Sequence, residues 1–275
     1  MPVMRGEHEA ALSAIVGNLC LLQDGTWSSD ARRPISYADE HHGVCRDIDA
    51  DSFWFTHRNR CILACVQKYS PGGFILDVGG GNGVVTSMLQ SSGIECALLE
   101  PSHVAVQHAR ERGVRHRILS SLEDARIVDG SVPAVGMFDV LEHIEDDAAA
   151  LHQVRSILRP DGTLYLTVPA HQALWSKVDD NAGHFRRYSR RSLVHVLSRH
   201  GFAPVYAGYI FSLLLIPQAA VMLKRDRDSH MVSRKAAYLR LPAGLARLFH
   251  PELPMIRMGI PIPFGSSVIC VARRS

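Results

Sequence analysis

The chain has 275 residues, 47% of them hydrophobic and 21% charged, which is enough to bury one large core and favours a single α/β enzyme domain with added segments over two separate domains. Its formal charge of +3 is far from the concentrated basic excess of a nucleic-acid binder, so no nucleic-acid partner is expected.

Residues 1–50 read as a helical and irregular N-terminal extension. Its first ten residues, MPVMRGEHEA, contain acids and lack an apolar core; a secretory signal is not expected, and the cytoplasm is the expected location. Positions 9–22 have helical periodicity, and 27–43 are polar and turn-rich. Residues 51–206 form the expected core. It opens with a helix over 52–69, where Phe53, Trp54 and Phe55 start the apolar face and Cys61 and Cys65 sit one turn apart. Core packing is the favoured role of these aromatics; in the sharper alternative they cover a ligand site together with His57, Arg58 and Asn59, which makes Trp54 and Arg58 candidate substrate contacts. The six cysteines show neither CxxC nor zinc spacing, so they read as reduced, mostly buried thiols, and no metal is expected.

Strands are predicted at 74–78, 95–99, 115–119, 133–138 and 162–168, alternating with helices at 83–91, 103–112, 121–126 and 146–158 in the rhythm of a parallel sheet. Ligands of such sheets bind beyond the carboxyl ends of the strands. The stretch FILDVGGGNG at 74–83, followed by Ala97-Leu98-Leu99-Glu100, has the outline of a nucleoside-binding βαβ unit. A dinucleotide loop starting at Gly79 would need its third glycine at position 84, where this chain has Val. Asp77 adds a negative charge where a pyrophosphate would be repelled and an ammonium group welcomed. S-adenosylmethionine carries that ammonium. Gly79, Gly80 and Gly81 let the backbone approach a ligand, and Glu100, followed by Pro101, can accept hydrogen bonds from both ribose hydroxyls.

DVGGGNG at 77–83, LLEPS at 98–102, MFDVLEHIEDD at 137–147 and LRPDGTLYLTVPA at 158–170 resemble the class I S-adenosylmethionine-dependent methyltransferases, in the small-molecule branch that includes the ubiquinone-pathway O-methyltransferases; the likeness covers roughly 53–205. The resemblance implies a Rossmann-like, mostly parallel sheet of seven strands with helices on both faces and the last strand antiparallel. It also implies that Asp77, Gly79 and Gly81 hold the methionine part of S-adenosylmethionine, Glu100 the ribose, Leu122 or Glu123 the adenine edge, and that Phe138 forms a wall of the site.

Methyl transfer from a sulfonium is an in-line displacement that depends on positioning and on exclusion of water, and a base is needed only when the acceptor is protonated. Candidates for that base are His184, His143 and Tyr188; His143 also lies on the cofactor rim, while His171, Arg186 and Arg187 are candidate contacts for a small-molecule acceptor with an anionic part. A sixth strand is expected at 201–206 and a final one within 263–275. The intervening 207–262 is too long for a hairpin and reads as an apolar helical insertion acting as a lid, a homodimer contact or a membrane-surface element. Two other readings stay open: a nicotinamide-dependent oxidoreductase, against which Val84 and Asp77 count, and a protein that binds S-adenosylmethionine without catalysis.

Overall fold

The structure is a computed structural model that describes residues 15, 19–29, 53–214 and 251–275. Among them the elements run β1 (Cys20–Leu21), β2 (Thr26–Ser28), α1 (Phe53–Lys68), β3 (Ile75–Val78), α2 (Val84–Ser91), β4 (Cys96–Glu100), α3 (His103–Glu111), β5 (His116–Leu119), α4 (Leu122–Ala125) and β6 (Val132–Phe138). They continue with α5 (Asp147–Ile157), β7 (Leu158–Pro169), α6 (Lys177–Ala182), α7 (Arg190–Arg199), β8 (Phe202–Ile210), α8 (Glu252–Met258) and β9 (Ser267–Arg274).

One sheet has the order β1-β2-β5-β4-β3-β6-β7-β9-β8. Its seven-strand part is the expected mostly parallel arrangement, with β9 antiparallel to both β7 and β8. The strand order reverses at β3, which pairs with β4 on one side and β6 on the other, so the crevice for a ligand opens beyond Val78. Alternation along each strand sends side chains to two cores. Leu76, Val78, Leu99, Val135 and Leu166 join a cluster with Leu151 and Val154 of α5 and Leu193 and Leu197 of α7. On the other face Ile75, Ala134, Tyr165 and Val271 pack with Cys61, Ile62 and Cys65 of α1, Leu89 of α2 and Ile256 of α8.

Local sequence explains the helix starts. Ser102 caps α3 by accepting from the Ala105 amide at 3.2 Å, and Asp146 caps α5 through the Ala149 amide at 2.9 Å. Among the described cysteines Cys61, Cys65, Cys96 and Cys270 are buried, Cys20 is exposed, and all are free thiols.

Three expectations are corrected. Two strands extend the expected seven: Trp27, placed in a turn-rich stretch, lies in β2 and pairs in parallel with Ile118, while Cys20 and Leu21, at the end of the expected helix, are extended and antiparallel to β2. The strand expected at 162–168 begins at Leu158, because Leu158 pairs with Val132 before a register shift, and the chain turns at the left-handed Asp161 (φ 59°) and re-enters the ladder at Thr163. β8 continues to Ile210, so residues 207–210 belong to the sheet, where they pair with β9. Most of the apolar insertion, 215–250, lies outside the described residues; among those described, no helix is long and apolar enough to cross a membrane.

The added edge is held by the buried Arg117 of β5, which donates to Thr26 Oγ1 at 3.2 Å, to the Asp24 carbonyl at 2.8 Å and to the Val114 carbonyl. Arg117→Ala leaves those acceptors without their charged donor, and a loss of about 2–4 kcal/mol is expected, read as a lower urea midpoint with an unchanged slope.

Candidate active site

The rim beyond β3 is arranged around a carboxylate. Asp77 has no exposure, because it points to the same face of the sheet as Ile75 and is covered by α2, whose Thr86 donates to Asp77 Oδ2 at 2.6 Å. The other oxygen, Oδ1, is buried without a partner. Burial pushes the Asp77 carboxyl up to about 6, against the Thr86 hydrogen bond and the positive charge of Arg58. A Cβ on Gly80 would come within 2.6 Å of Asp77 Oδ2 and 2.5 Å of Leu98, so only glycine lets the chain pass over this carboxylate.

The turn continues through the left-handed Gly79 (φ 66°), whose amide bonds to the Leu99 carbonyl at 2.8 Å. Gly81 donates its amide to Glu100 Oε2 at 2.9 Å, and the Ser102 amide holds Oε1 at 3.0 Å, so the buried Glu100 carboxylate lies fixed beside the glycine turn. The close-packing position expected at 84 falls one residue earlier: Gly83 is left-handed (φ 69°), and a Cβ there would meet Ala109 and Val114 at 2.8 Å.

Beyond β6 the chain bends at the left-handed Asp139 (φ 58°), which forms an ion pair with the buried Arg58 of α1. Arg58 also covers Trp54 at 4.9 Å from the ring centroid, and Trp54 stacks on Phe211 at 5.5 Å. The expected pair Trp54 and Arg58 thus stands at this rim. Phe138 packs in the α1 core with its ring folded over Gly136, Leu122 packs against the opposite core, and Glu123 is exposed. Pro101 follows Glu100 directly and is half-buried.

The stretch 184–188 divides between two anchors. His184 Nδ1 meets Asp179 Oδ1 at 2.9 Å, and Arg187 forks onto the same carboxylate at 2.7 and 3.0 Å. Burial alone would raise Asp179, yet His184 and Arg187 hold it well below the usual carboxylate range. Arg186 pairs with Asp147 at 3.0 Å, and the Tyr188 hydroxyl donates to Asp147 at 2.7 Å; burial and that carboxylate push the Tyr188 phenol above its ordinary range. His171 bonds the Gly265 carbonyl at 3.0 Å and stacks on Tyr209. The His143 ring stands edge-on to His184 with centroids 4.6 Å apart, and burial with the nearby His184 lowers its pKa to about 4.

Sequence reading missed Thr86 and Asp179, and it placed 138–143 at the carboxyl end of the fourth expected strand without a role for Asp139 or Glu142. Glu142 stood inside the quoted LEHIEDD segment, but nothing in spacing signals that its side chain is buried with both oxygens unpartnered, next to Asp139.

Comparison with known proteins agrees with this geometry. Residues 53–207 match the family described as "Methyltransferase domain", and the chain belongs to that family. The family and the fold are those of the class I S-adenosylmethionine-dependent methyltransferases, whose cofactor is S-adenosylmethionine. A probable S-adenosylmethionine-dependent methyltransferase of Mycobacterium tuberculosis is 25% identical over 163 residues, 58% of this chain and 59% of that protein. A ubiquinone biosynthesis O-methyltransferase of Haemophilus ducreyi is 32% identical over 103 residues, 34% of this chain and 44% of the relative. The chain thus spans about half the length of the curated relatives it matches. In fold it is similar to phosphoethanolamine N-methyltransferase 2 of Haemonchus contortus, with TM-score 0.56 and 17% identity over 87% of this chain and 58% of that one.

The raised Asp77 pKa gives a stability prediction. The folded chain binds this proton more tightly than the unfolded chain, so the contribution favours folding at low pH and is lost as pH rises from the ordinary 3.8 through about 6. Between about pH 4 and pH 6.5 the wild type should lose on the order of 2–3 kcal/mol relative to Asp77→Asn, measured by urea unfolding. A flat difference would mean that Asp77 is not desolvated.

Proposed function

We propose that this chain transfers a methyl group from S-adenosylmethionine to a small-molecule acceptor. The observation that carries this reading is the buried, half-paired Asp77 carboxylate beneath a glycine turn, with the fixed Glu100 carboxylate alongside. Asp77 receives the ammonium of the methionine part, which would supply the missing partner of Oδ1. Gly79, Gly80 and Gly81 give the backbone room to approach it. Glu100, held beside the glycine turn by the Gly81 and Ser102 amides, is the carboxylate that would receive the ribose hydroxyls. When bound, the cofactor supplies an electrophilic methyl; the protein's part is to align the acceptor with it and keep water out.

The acceptor side falls to Trp54, Arg58 and His184: Arg58 covers Trp54 and pairs with Asp139 after β6, and His184 stands against His143 of the same loop. Relatives and neighbours named for O-methyl transfer in ubiquinone biosynthesis and for N-methyl transfer to phosphoethanolamine support a small acceptor of mixed apolar and polar character. His184 is favoured as the base over Tyr188, which is committed to Asp147, and over His143, whose pKa burial and the nearby His184 lower to about 4.

Calorimetry with S-adenosylmethionine and with NAD tests the reading. S-adenosylmethionine should bind and NAD should not, and Asp77→Ala or Glu100→Ala should each weaken binding at least about tenfold, roughly 1.4 kcal/mol. Release of S-adenosylhomocysteine with candidate acceptors then separates an enzyme from a binder. Binding of NAD alone would overturn the proposal.

A further inference from the structure

Three side chains on the acceptor side of the rim converge. Glu142 and His143 follow β6, His184 comes from the loop after α6, and one ligand atom from each lies within 4.8 Å of the other two. Glu142 is 1% exposed, and neither of its carboxylate oxygens has a hydrogen-bond partner. An unpaired carboxylate in that setting costs several kcal/mol unless it takes up a proton or a cation compensates it. The nearby guanidinium groups are committed elsewhere: Arg58 to Asp139, and Arg187 in a fork to Asp179.

The histidine side has the matching organisation. Asp179 is fully buried, is anchored by the Ser176 amide at 2.8 Å and by Arg187, and meets His184 Nδ1 at 2.9 Å. A carboxylate on one ring nitrogen fixes the tautomer and leaves the other nitrogen to coordinate a cation, which is the usual support behind a metal-bound histidine. His143 stands edge-on to His184, with an interplanar angle of 80°.

We propose that Glu142, His143 and His184 bind a divalent transition-metal ion of the zinc class, with Asp179 as the outer carboxylate that orients His184. Two imidazoles and one carboxylate suit zinc better than magnesium, which prefers an all-oxygen shell. Ligand bonds of about 2.0–2.2 Å place donor atoms roughly 3–3.5 Å apart, so a small rotation of these side chains closes the site. Three protein ligands leave a fourth position open. On the methyl-transfer reading, and resting on it, that position would take an acceptor oxygen and lower its pKa, so that the hydroxyl proton is lost to solvent as the acceptor binds and His184, then a ligand, gives up the role of base. The buried group His57, Cys61 and Glu252 also meets the distance criterion, but there the Glu252 oxygens already take four hydrogen bonds, from His57, the Phe211 amide, and the Ser212 amide and hydroxyl.

The test is calorimetric titration of the chelator-treated full chain with zinc chloride alone, with metal content measured after dialysis. One equivalent should bind. His184→Gln, at a partly exposed position, and Glu142→Gln should each weaken binding at least tenfold, and Asp179→Asn about 10- to 100-fold, with unchanged far-ultraviolet circular dichroism. Absence of zinc binding, or binding in His184→Gln equal to the wild type, overturns the site. S-adenosylmethionine titration of the same preparations keeps the two proposals apart: cofactor binding without zinc binding sinks only the metal site, and zinc binding without cofactor binding upholds it while sinking the methyl-transfer reading.

Discussion

A desolvated carboxylate at the carboxyl end of the central strand is the constraint on which the rest of the rim depends. Asp77 sits where the strand order reverses, and its pairing is incomplete. Three neighbouring features answer to it. Thr86 on α2 supplies a hydroxyl, Arg58 on α1 supplies positive charge, and Gly80 supplies the absence of a side chain where a Cβ would strike the carboxylate. The glycine turn, which looks from its sequence like a device for a ligand alone, is therefore also required by the protein's own acid beneath it. Glu100 then fixes the far side of the turn through the Gly81 amide, so the two carboxylates hold the loop between them.

The central strands were legible because each is a short apolar run ending in a residue that cannot continue it, and buried parallel strands have that pattern. The edge was not. β2 consists of Thr26, Trp27 and Ser28 within a polar stretch, and its place in the sheet comes from pairing with β5 and from Arg117, a tertiary contact that no local pattern encodes. Residue 84 illustrates a different limit. Comparison with a dinucleotide loop located the missing glycine correctly, yet the close contact it would serve is made by Gly83 against α3 and the turn before β5. Polar residues show a third limit: no local pattern marks Glu142 and Asp179 as buried, since their burial depends on which loops pack over them.

The root of the insertion is built into the same framework. The Glu252 carboxylate gathers His57 from α1, both amides and the hydroxyl at Phe211 and Ser212, and so ties the start of α8 to the end of β8. Its hydrogen bonds hold it below the usual carboxylate range although burial opposes them. Phe211 is buried in the left-handed conformation (φ 61°), a cost for a bulky residue that these hydrogen bonds and the stacking of Trp54 offset. α1 carries His57 toward this root and Arg58 toward Asp139, so one helical turn joins the insertion to the rim.

Five consecutive residues show how sequence proximity misleads about chemistry. His184 to Tyr188 read as one functional cluster, but the fold assigns four of these side chains, all but the exposed Phe185, to two carboxylates with different consequences. Asp147 takes Arg186 and Tyr188, fastens the loop to α5, and raises the cost of ionising the phenol. Asp179 takes Arg187 and His184; the guanidinium neutralises it, and the imidazole is left oriented with one nitrogen engaged. A tyrosine hydroxyl already donating to an acid cannot also accept a proton at low cost, whereas an imidazole anchored through Nδ1 retains the chemistry of its second nitrogen. The division between structural and chemical roles in this loop therefore follows from which acid each side chain reaches. Both acids are placed by helix starts: Asp147 as the first residue of α5, and Asp179 as the capping-box residue of α6.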